Sequence, residues 1–148
     1  MIDRKFIGYR TTPFSVEVER GRLKLFAKAI GETDPVYSDD EAARAAGYPA
    51  LPVPLTFLFC LEMERDDPYD WFAELDLPLS NVLHGEQAFE YHALAYAGDT
   101  LRFESVVTDI FDKKNGELEF LVQKVSVTNQ HDARVATFDR TLVVQHVR

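Results

Sequence analysis

The sequence holds a single cysteine, Cys60. One thiol cannot close an internal disulfide, and neither a CxxC pair nor a Cys/His ligand set accompanies it. No metal ion and no cofactor are expected, and a reducing compartment suits such a chain. Basic residues are also scarce: Lys and Arg number 16 against 25 Asp and Glu, a formal net charge of −9. That balance argues against general nucleic-acid binding, which needs clustered positive charge to meet phosphates. A local basic spot for a phosphorylated ligand is still allowed. Long apolar runs are missing too. The longest, residues 53–61, falls well short of the roughly 20 residues of a membrane span. The charges after it (Glu62, Glu64, Arg65, Asp66, Asp67) read as solvated. The first residues lead into no apolar stretch of the signal-peptide kind. A cytoplasmic location without membrane contact is the expectation.

What is present suffices for a core. Hydrophobic residues make up 46% of 148, too many for wholesale disorder and about right for one domain over residues 1–148. The chain changes character midway. Up to about residue 78 it reads as helices and loops, and from about 83 onward as strands. Phe14, Val16 and Val18 alternate with polar neighbours, the period of a half-buried strand. Leu23, Phe26, Ala27 and Ile30 then recur at helical spacing and predict one buried face, closed by Gly31. Residues 32–39 read as an ordered loop, with Pro35 keeping Asp34 out of helical geometry. A short Ala-rich helix follows, capped by Ser38 or Asp39. From Pro54 to Met63 the chain is apolar on nearly all sides, which predicts a helix buried all round. The stretch 66–78 reads as loop with one helical turn at Trp71.

In the second half Gln87, Phe89 and Tyr91 share a strand face. A strand over 101–111 returns through the Asn115-Gly116 hairpin signal into a strand over 117–128. The last strand runs from about 133 to 145. In the returning strand, Leu118, Phe120 and Val122 lie on one face, with Leu121, Val125 and Val127 on the other. Both faces of the sheet therefore call for cover, one by a helix and one by a partner. The expected fold is α+β: a hot-dog domain, a curved antiparallel sheet wrapped around a buried helix.

Two blocks then become recognisable. Residues Phe26-Ala27-Lys28-Ala29-Ile30-Gly31-Glu32-Thr33-Asp34-Pro35-Val36-Tyr37-Ser38-Asp39, with Ala42, Ala43, Ala46, Gly47 and Tyr48 behind them, resemble the signature of MaoC-like hydratases and dehydratases. That signature reads roughly G-D-x-N-P-[IV]-H-x-D, then an Ala-rich helix. The second block is Leu83-His84-Gly85-Glu86-Gln87-Ala88-Phe89-Glu90-Tyr91, followed by Gly98-Asp99-Thr100-Leu101. It is similar to the N-terminal branch of that superfamily, related to the dehydratase domain of type I fatty acid synthases and to the partner subunit of mycobacterial-type (3R)-hydroxyacyl dehydratases. The resemblance spans about residues 4–146. It implies an acyl-CoA or acyl-carrier thioester as ligand and reversible hydration of a 2-enoyl thioester. It also implies a homodimer, or a heterodimer with another hot-dog chain.

In catalytic members of the family an Asp and a His of the first block hold the reacting water, and a helix-start amide polarises the thioester carbonyl. Here those positions carry Glu32 and Tyr37. Glu32 keeps a carboxylate but displaces it by a methylene. Tyr37 offers a phenol, whose ordinary pKa near 10 makes it a poor base. The departure implies the half of a pair that binds the acyl chain while a sister chain holds the dyad.

Each candidate residue has a structural alternative. Glu32 is a surrogate acid/base or a solvated loop residue. Asp34 holds the loop, and Tyr37 plugs the would-be catalytic pocket. His84 is a relocated base or a donor to the thioester, against an imidazole that orients its loop. The amides of Leu55 and Thr56 are candidate carbonyl donors or simple helix-start groups. Phe57, Phe59, Phe89 and Tyr91 line an acyl channel or fill the core. Arg44 and Arg102 meet ligand phosphates or water. Cys60 is a nucleophile or a small buried hydrophobe, the commoner role of a lone cysteine in an apolar helix. The alternatives to the acyl-binding half are a self-sufficient hydratase using Glu32 or His84, a non-catalytic thioester-binding module, and a hot-dog thioesterase.

Overall fold

The computed structural model describes residues 1–146. Strand β1 (Phe14–Glu17) leads into helix α1 (Arg20–Ala29). A 3-10 turn at Pro35–Tyr37 precedes helix α2 (Asp40–Ala45), and helix α3 (Phe57–Glu62) follows. A 3-10 segment, Asp70–Leu75, carries Trp71. The chain then enters four strands: β2 (Val82–Tyr91), β3 (Thr100–Lys113), β4 (Leu118–Thr128) and β5 (Arg134–Gln145). All five strands form one antiparallel sheet in the order β1-β3-β4-β5-β2. The sheet curves over α3, as expected of a hot-dog fold. The β3–β4 hairpin turns through Lys114, Asn115 and Gly116, all with positive φ, the conformation that Asn-Gly adopts readily.

The inner face of the sheet follows strict alternation. On β3 it carries Leu101, Phe103, Ser105 and Val107; on β4, Glu119, Leu121, Gln123, Val125 and Val127; on β5, Ala136, Phe138, Arg140, Leu142 and Val144, all buried. The apolar members fall into two clusters. One gathers Phe57, Leu58 and Leu61 of α3 and Leu23 of α1 against Phe103, Val125 and Phe138. The other gathers Trp71, Phe72 and Leu75 against Val107, Leu121 and Leu142. Ser105, Gln123 and Arg140 stand between the two clusters on their strands, so a polar row crosses the face at the seam.

Three sequence expectations change here. Ile30 is 54% exposed, because α1 ends at Ala29 and Ile30 is its C-cap, past the face that Leu23 and Ala27 bury. The apolar stretch 54–63 is helical for only six residues and is not buried all round: Leu55, in the turn before α3, is 45% exposed. Glu62 is not solvated but 5% exposed, on the last turn of α3. The Ala-rich helix is capped by Asp39, whose side chain accepts from the Glu41 amide at 2.8 Å.

The β2–β5 register slips between His84 and Glu86. This bulge changes which side chains meet the core. Before it, Val82 and His84 stand opposite Val144 and Leu142; after it, Gln87, Phe89 and Tyr91 stand opposite Arg140, Phe138 and Ala136. In a regular strand His84 and Gln87, three apart, would point to opposite faces. The extra residue puts both on the inner one. Gly85 permits this. A Cβ there would lie 2.8 Å from Val143 Cγ2 and 3.2 Å from the Thr141 carbonyl oxygen. Gly85→Ala is expected to cost about 1–3 kcal/mol through overpacking, read as a lower urea midpoint. An unchanged midpoint would show that the strand pair relaxes around the methyl.

Candidate functional site

The loop of the first block is shaped by the end of α1. Gly31 takes a left-handed φ of 74°. Its amide reaches the Lys28 carbonyl at 3.2 Å, and the Glu32 amide reaches the Ala27 carbonyl at 2.9 Å, the double closure of a Schellman cap. Chain direction reverses there, and Glu32 folds onto its own loop. Its Oε1 accepts from the amides of Thr33 at 2.8 Å and Asp34 at 2.9 Å. Asp34 in turn accepts from the Val36 amide at 3.1 Å and caps the turn that carries Tyr37. The Tyr37 phenol is pushed above its ordinary pKa, first by burial and then by the Glu32 carboxylate nearby. It therefore stays protonated at neutral pH. The loop sets a carboxylate near a phenol, and the carboxylate is engaged by amides of its own loop.

A second location lies at the far end of α3. A cavity of ≈ 90 Å³ is walled by Phe59, Met63, Trp71, Phe72, Val82, His84, Arg140 and Leu142, with Pro68, Tyr69 and Leu79 completing it. Glu32, Asp34 and Tyr37 are not among its walls. The structure thus brings His84 and Phe59 together, with ring centroids 5.2 Å apart, but not His84 and Glu32. His84 Nε2 lies 3.1 Å from the Glu86 carbonyl oxygen. In the tautomer that donates this bond, Nδ1 is left as an acceptor.

Arg140 stands with His84 on the cavity wall. Its Nη1 donates to Glu62 Oε2 at 3.1 Å; its Nη2 donates to Glu62 Oε1 at 3.3 Å and to Gln123 Oε1 at 2.5 Å. Gln123 Nε2 reaches Ser105 Oγ at 3.4 Å, and Ser105 shares a 2.6 Å bond with Thr11 Oγ1. This network runs from α3 across β5, β4 and β3 to the N-terminal segment. Burial pushes the Glu62 carboxyl above its ordinary pKa, and the charge and hydrogen bonds of Arg140 hold it down only in part.

The other candidates separate around these two places. Phe57 is core, 3% exposed. Phe89 is half-buried and packs on Phe138 at 5.1 Å. Leu55 and Tyr91 border a narrow cleft at the start of α3 with Val53, Leu58 and Leu94. Thr56 is the N-cap of α3 but its side chain makes no capping bond. Arg102 is exposed and engaged by Glu104 at 2.7 Å. Arg44 is exposed on α2, and Cys60 is half-buried with its thiol pushed up by desolvation. Among the described residues no group of three or more His, Cys, Asp or Glu could hold a metal ion, and no helix is long and apolar enough to cross a membrane. Sequence reasoning missed Glu62, Gln123 and Arg140. The available signal was alternation: Arg140 occupies an inward position between Phe138 and Leu142, where an unpaired charge would be untenable.

A curved antiparallel sheet over a short helix, with a small cavity between them, is the hot-dog arrangement. A family model described as "FAS1-like, dehydratase domain region" matches residues 5–138, and the chain belongs to that family. It is 38% identical over 146 residues to a UPF0336 protein of Saccharopolyspora erythraea, covering 97% of this chain and 92% of that one. Among solved structures it is similar to a chain of the C-terminally truncated HadBC (3R-hydroxyacyl-ACP dehydratase) complex of Mycobacterium tuberculosis. There the identity is 27% and the TM-score 0.80, with 93% of this chain and 96% of that one covered. The fold is shared with the unliganded R-hydratase PhaJ1 of Pseudomonas aeruginosa at 19% identity, TM-score 0.69, covering 95% and 83% of the two chains.

Two expected outcomes follow from the buried pair. Arg140→Leu leaves Glu62 buried without its partner and is expected to cost about 3–5 kcal/mol, most of it recovered in the double variant Glu62→Leu/Arg140→Leu. Chemical denaturation of the three proteins checks this. A Glu whose folded pKa is raised stabilises most below its unfolded value near 4.5, and that contribution is lost as pH rises through the folded pKa. Glu62→Gln cannot titrate. Its Tm relative to wild type is therefore expected to climb as pH is raised from 4.5 toward neutral, and a flat difference would contradict the assignment.

Proposed function

We propose that this chain is the acyl-binding component of an enoyl-thioester hydratase / 3-hydroxyacyl-thioester dehydratase, working beside a second hot-dog chain that carries the Asp/His pair. The observation that carries the reading is the loop at Glu32 and Tyr37. The carboxylate accepts from two amides of its own loop, and the phenol, already a poor base, is pushed further above its ordinary pKa by partial burial. A general base needs a pKa near the operating pH and reach to the water, and a displacement of about 1 Å can cost roughly 10²-fold. The similarity to a chain of the HadBC complex supports pairing with a different hot-dog chain. So does β2, which among the described residues pairs with β5 alone and presents its other edge. An unpaired edge strand invites another strand. The acyl group, on coenzyme A or on a carrier, runs against the apolar walls at α3. The cell interior is the site of action in this reading.

A self-sufficient enzyme is the second reading, favoured by His84 on the cavity wall. Loss of enoyl absorbance from crotonyl-CoA separates the two. The expected result is negligible turnover by the purified chain and robust turnover once a hot-dog chain with an intact Asp/His loop is added. Robust turnover by the chain alone, abolished in His84→Ala, would transfer the chemistry to His84 and sink the proposal. Acyl-CoA binding without turnover in either mixture would leave a binding module, and free thiol release a thioesterase; each would replace the proposed role. In the two-chain mixture Tyr37→Phe is expected to keep the rate within about twofold, because the hydroxyl proton takes no part in the water chemistry.

A further inference from the structure

The cavity at His84 has a mouth and a floor. Among its lining residues Tyr69 and Leu79 are exposed, whereas Trp71, Phe72, Arg140 and Leu142 are buried. The first two mark the mouth and the other four the floor. Trp71, Phe72 and Leu142 also belong to the packed cluster that holds Val107, Ile110 and Leu121, three residues that do not border the cavity. The cavity therefore ends on solid core. A second cavity, of ≈ 240 Å³, is bounded by Leu75, Leu77 and Val144, buried members of that same cluster. The two cavities have different walls, and packed side chains stand between them.

The floor is also stiff. Three hydrogen bonds hold the Arg140 guanidinium to Glu62 and Gln123. Swinging it aside would strip a buried carboxylate of its partner, which costs far more than burying one further methylene returns. Trp71 meets Phe72 edge-on with ring centroids 4.5 Å apart, so the indole is wedged rather than free to turn.

Volume then sets a length. A dry apolar cavity of about 150 Å³ holds one benzene ring. On that scale the ≈ 90 Å³ at His84 has room for roughly three or four carbon atoms.

We infer that the cavity at His84 measures the acyl chain, admitting roughly three or four carbons beyond those that react, with Trp71 as the stop. This rests on the acyl-binding reading above and specifies its substrate class. The carbonyl carbon and the two carbons that undergo hydration stay outside the mouth, within reach of the second chain. The class is then a short acyl thioester of roughly six or seven carbons. Binding makes and breaks no covalent bond.

Isothermal titration calorimetry of the full chain with butyryl-, hexanoyl-, octanoyl-, decanoyl- and dodecanoyl-CoA tests the length. Hexanoyl-CoA is expected to bind roughly tenfold tighter than butyryl-CoA, the effect of burying two methylenes. The three longer chains are expected to stay within about fourfold of hexanoyl-CoA, because at most one more methylene finds room. Trp71→Leu, checked for folding by circular dichroism, is expected to carry the gain on to decanoyl-CoA, a shift in length that mere destabilisation would not produce. Leu142→Ala opens the same floor if the Trp71 variant does not fold, and the series on the unaltered chain decides the length in either case. Affinity that keeps climbing through dodecanoyl-CoA in the unaltered chain overturns the inference and leaves the acyl-binding reading standing, with a chain that pushes through toward Val144. Equal affinity across the whole series overturns it as well, since the cavity then takes no chain carbons. An unchanged limit in the folded Trp71 variant removes the stop from Trp71 and overturns the assignment. If no acyl-CoA binds, the acyl-binding reading itself falls and this inference with it.

Discussion

The rest of the structure is arranged around one buried ion pair. Glu62 and Arg140, with side chains 6% and 7% exposed, meet beneath the last turn of α3. Charges of this kind are costly to bury and persist only when geometry and further hydrogen bonds compensate them. Here Gln123 continues the compensation, and Ser105 and Thr11 carry the row to the far side of the sheet. The pair ties the short central helix to β5 and β4 at a defined register. A purely apolar contact between α3 and the sheet would tolerate sliding far more easily. The row also lies at the seam between the cluster under α3 and the cluster under Trp71, so two separate apolar packings meet along a line of directional bonds.

The bulge at Gly85 is the second constraint, and it depends on the first. Arg140 is fixed by Glu62, so the residue opposite it on β2 must be one that belongs on the inner face. The slipped register supplies Gln87 there while keeping His84 on the same face two positions further along β5, opposite Leu142. The cavity, its imidazole and its guanidinium are thus products of one local irregularity in an otherwise regular sheet. Small pockets with a few convergent polar groups in apolar walls are the usual form of ligand sites. The loop at Glu32 and Tyr37 shows the opposite tendency. Its two carboxylates accept from amides of the loop itself, behind a Schellman closure. One location closes in on itself while the other keeps a cavity.

Much of this was legible in the residues. Alternation placed β3, β4 and β5 within a residue or two, and Asn115-Gly116 located their hairpin, because side-chain period and turn chemistry act over a few positions. The two sequence blocks pointed to the family. Ile30 and Leu55 were misjudged for a shared reason: apolar spacing says which residues could be buried, while helix ends decide which are. Glu62 was misjudged because it sits in a run of charges, and nothing local distinguishes a carboxylate that meets an arginine 78 positions away.

The sequence by itself determined the period of each element, the points where the chain turns, and the chemical types available to the loop and to the second block. These are short-range properties, set by backbone sterics and side-chain spacing. Only the tertiary structure decided that Glu62, Arg140, Gln123 and Gln87 share one buried row, that His84 faces Phe59 rather than Glu32, and that a cavity opens between them. Those outcomes depend on strand register and on which distant faces pack together, and a one-residue slip on β2 was enough to set them.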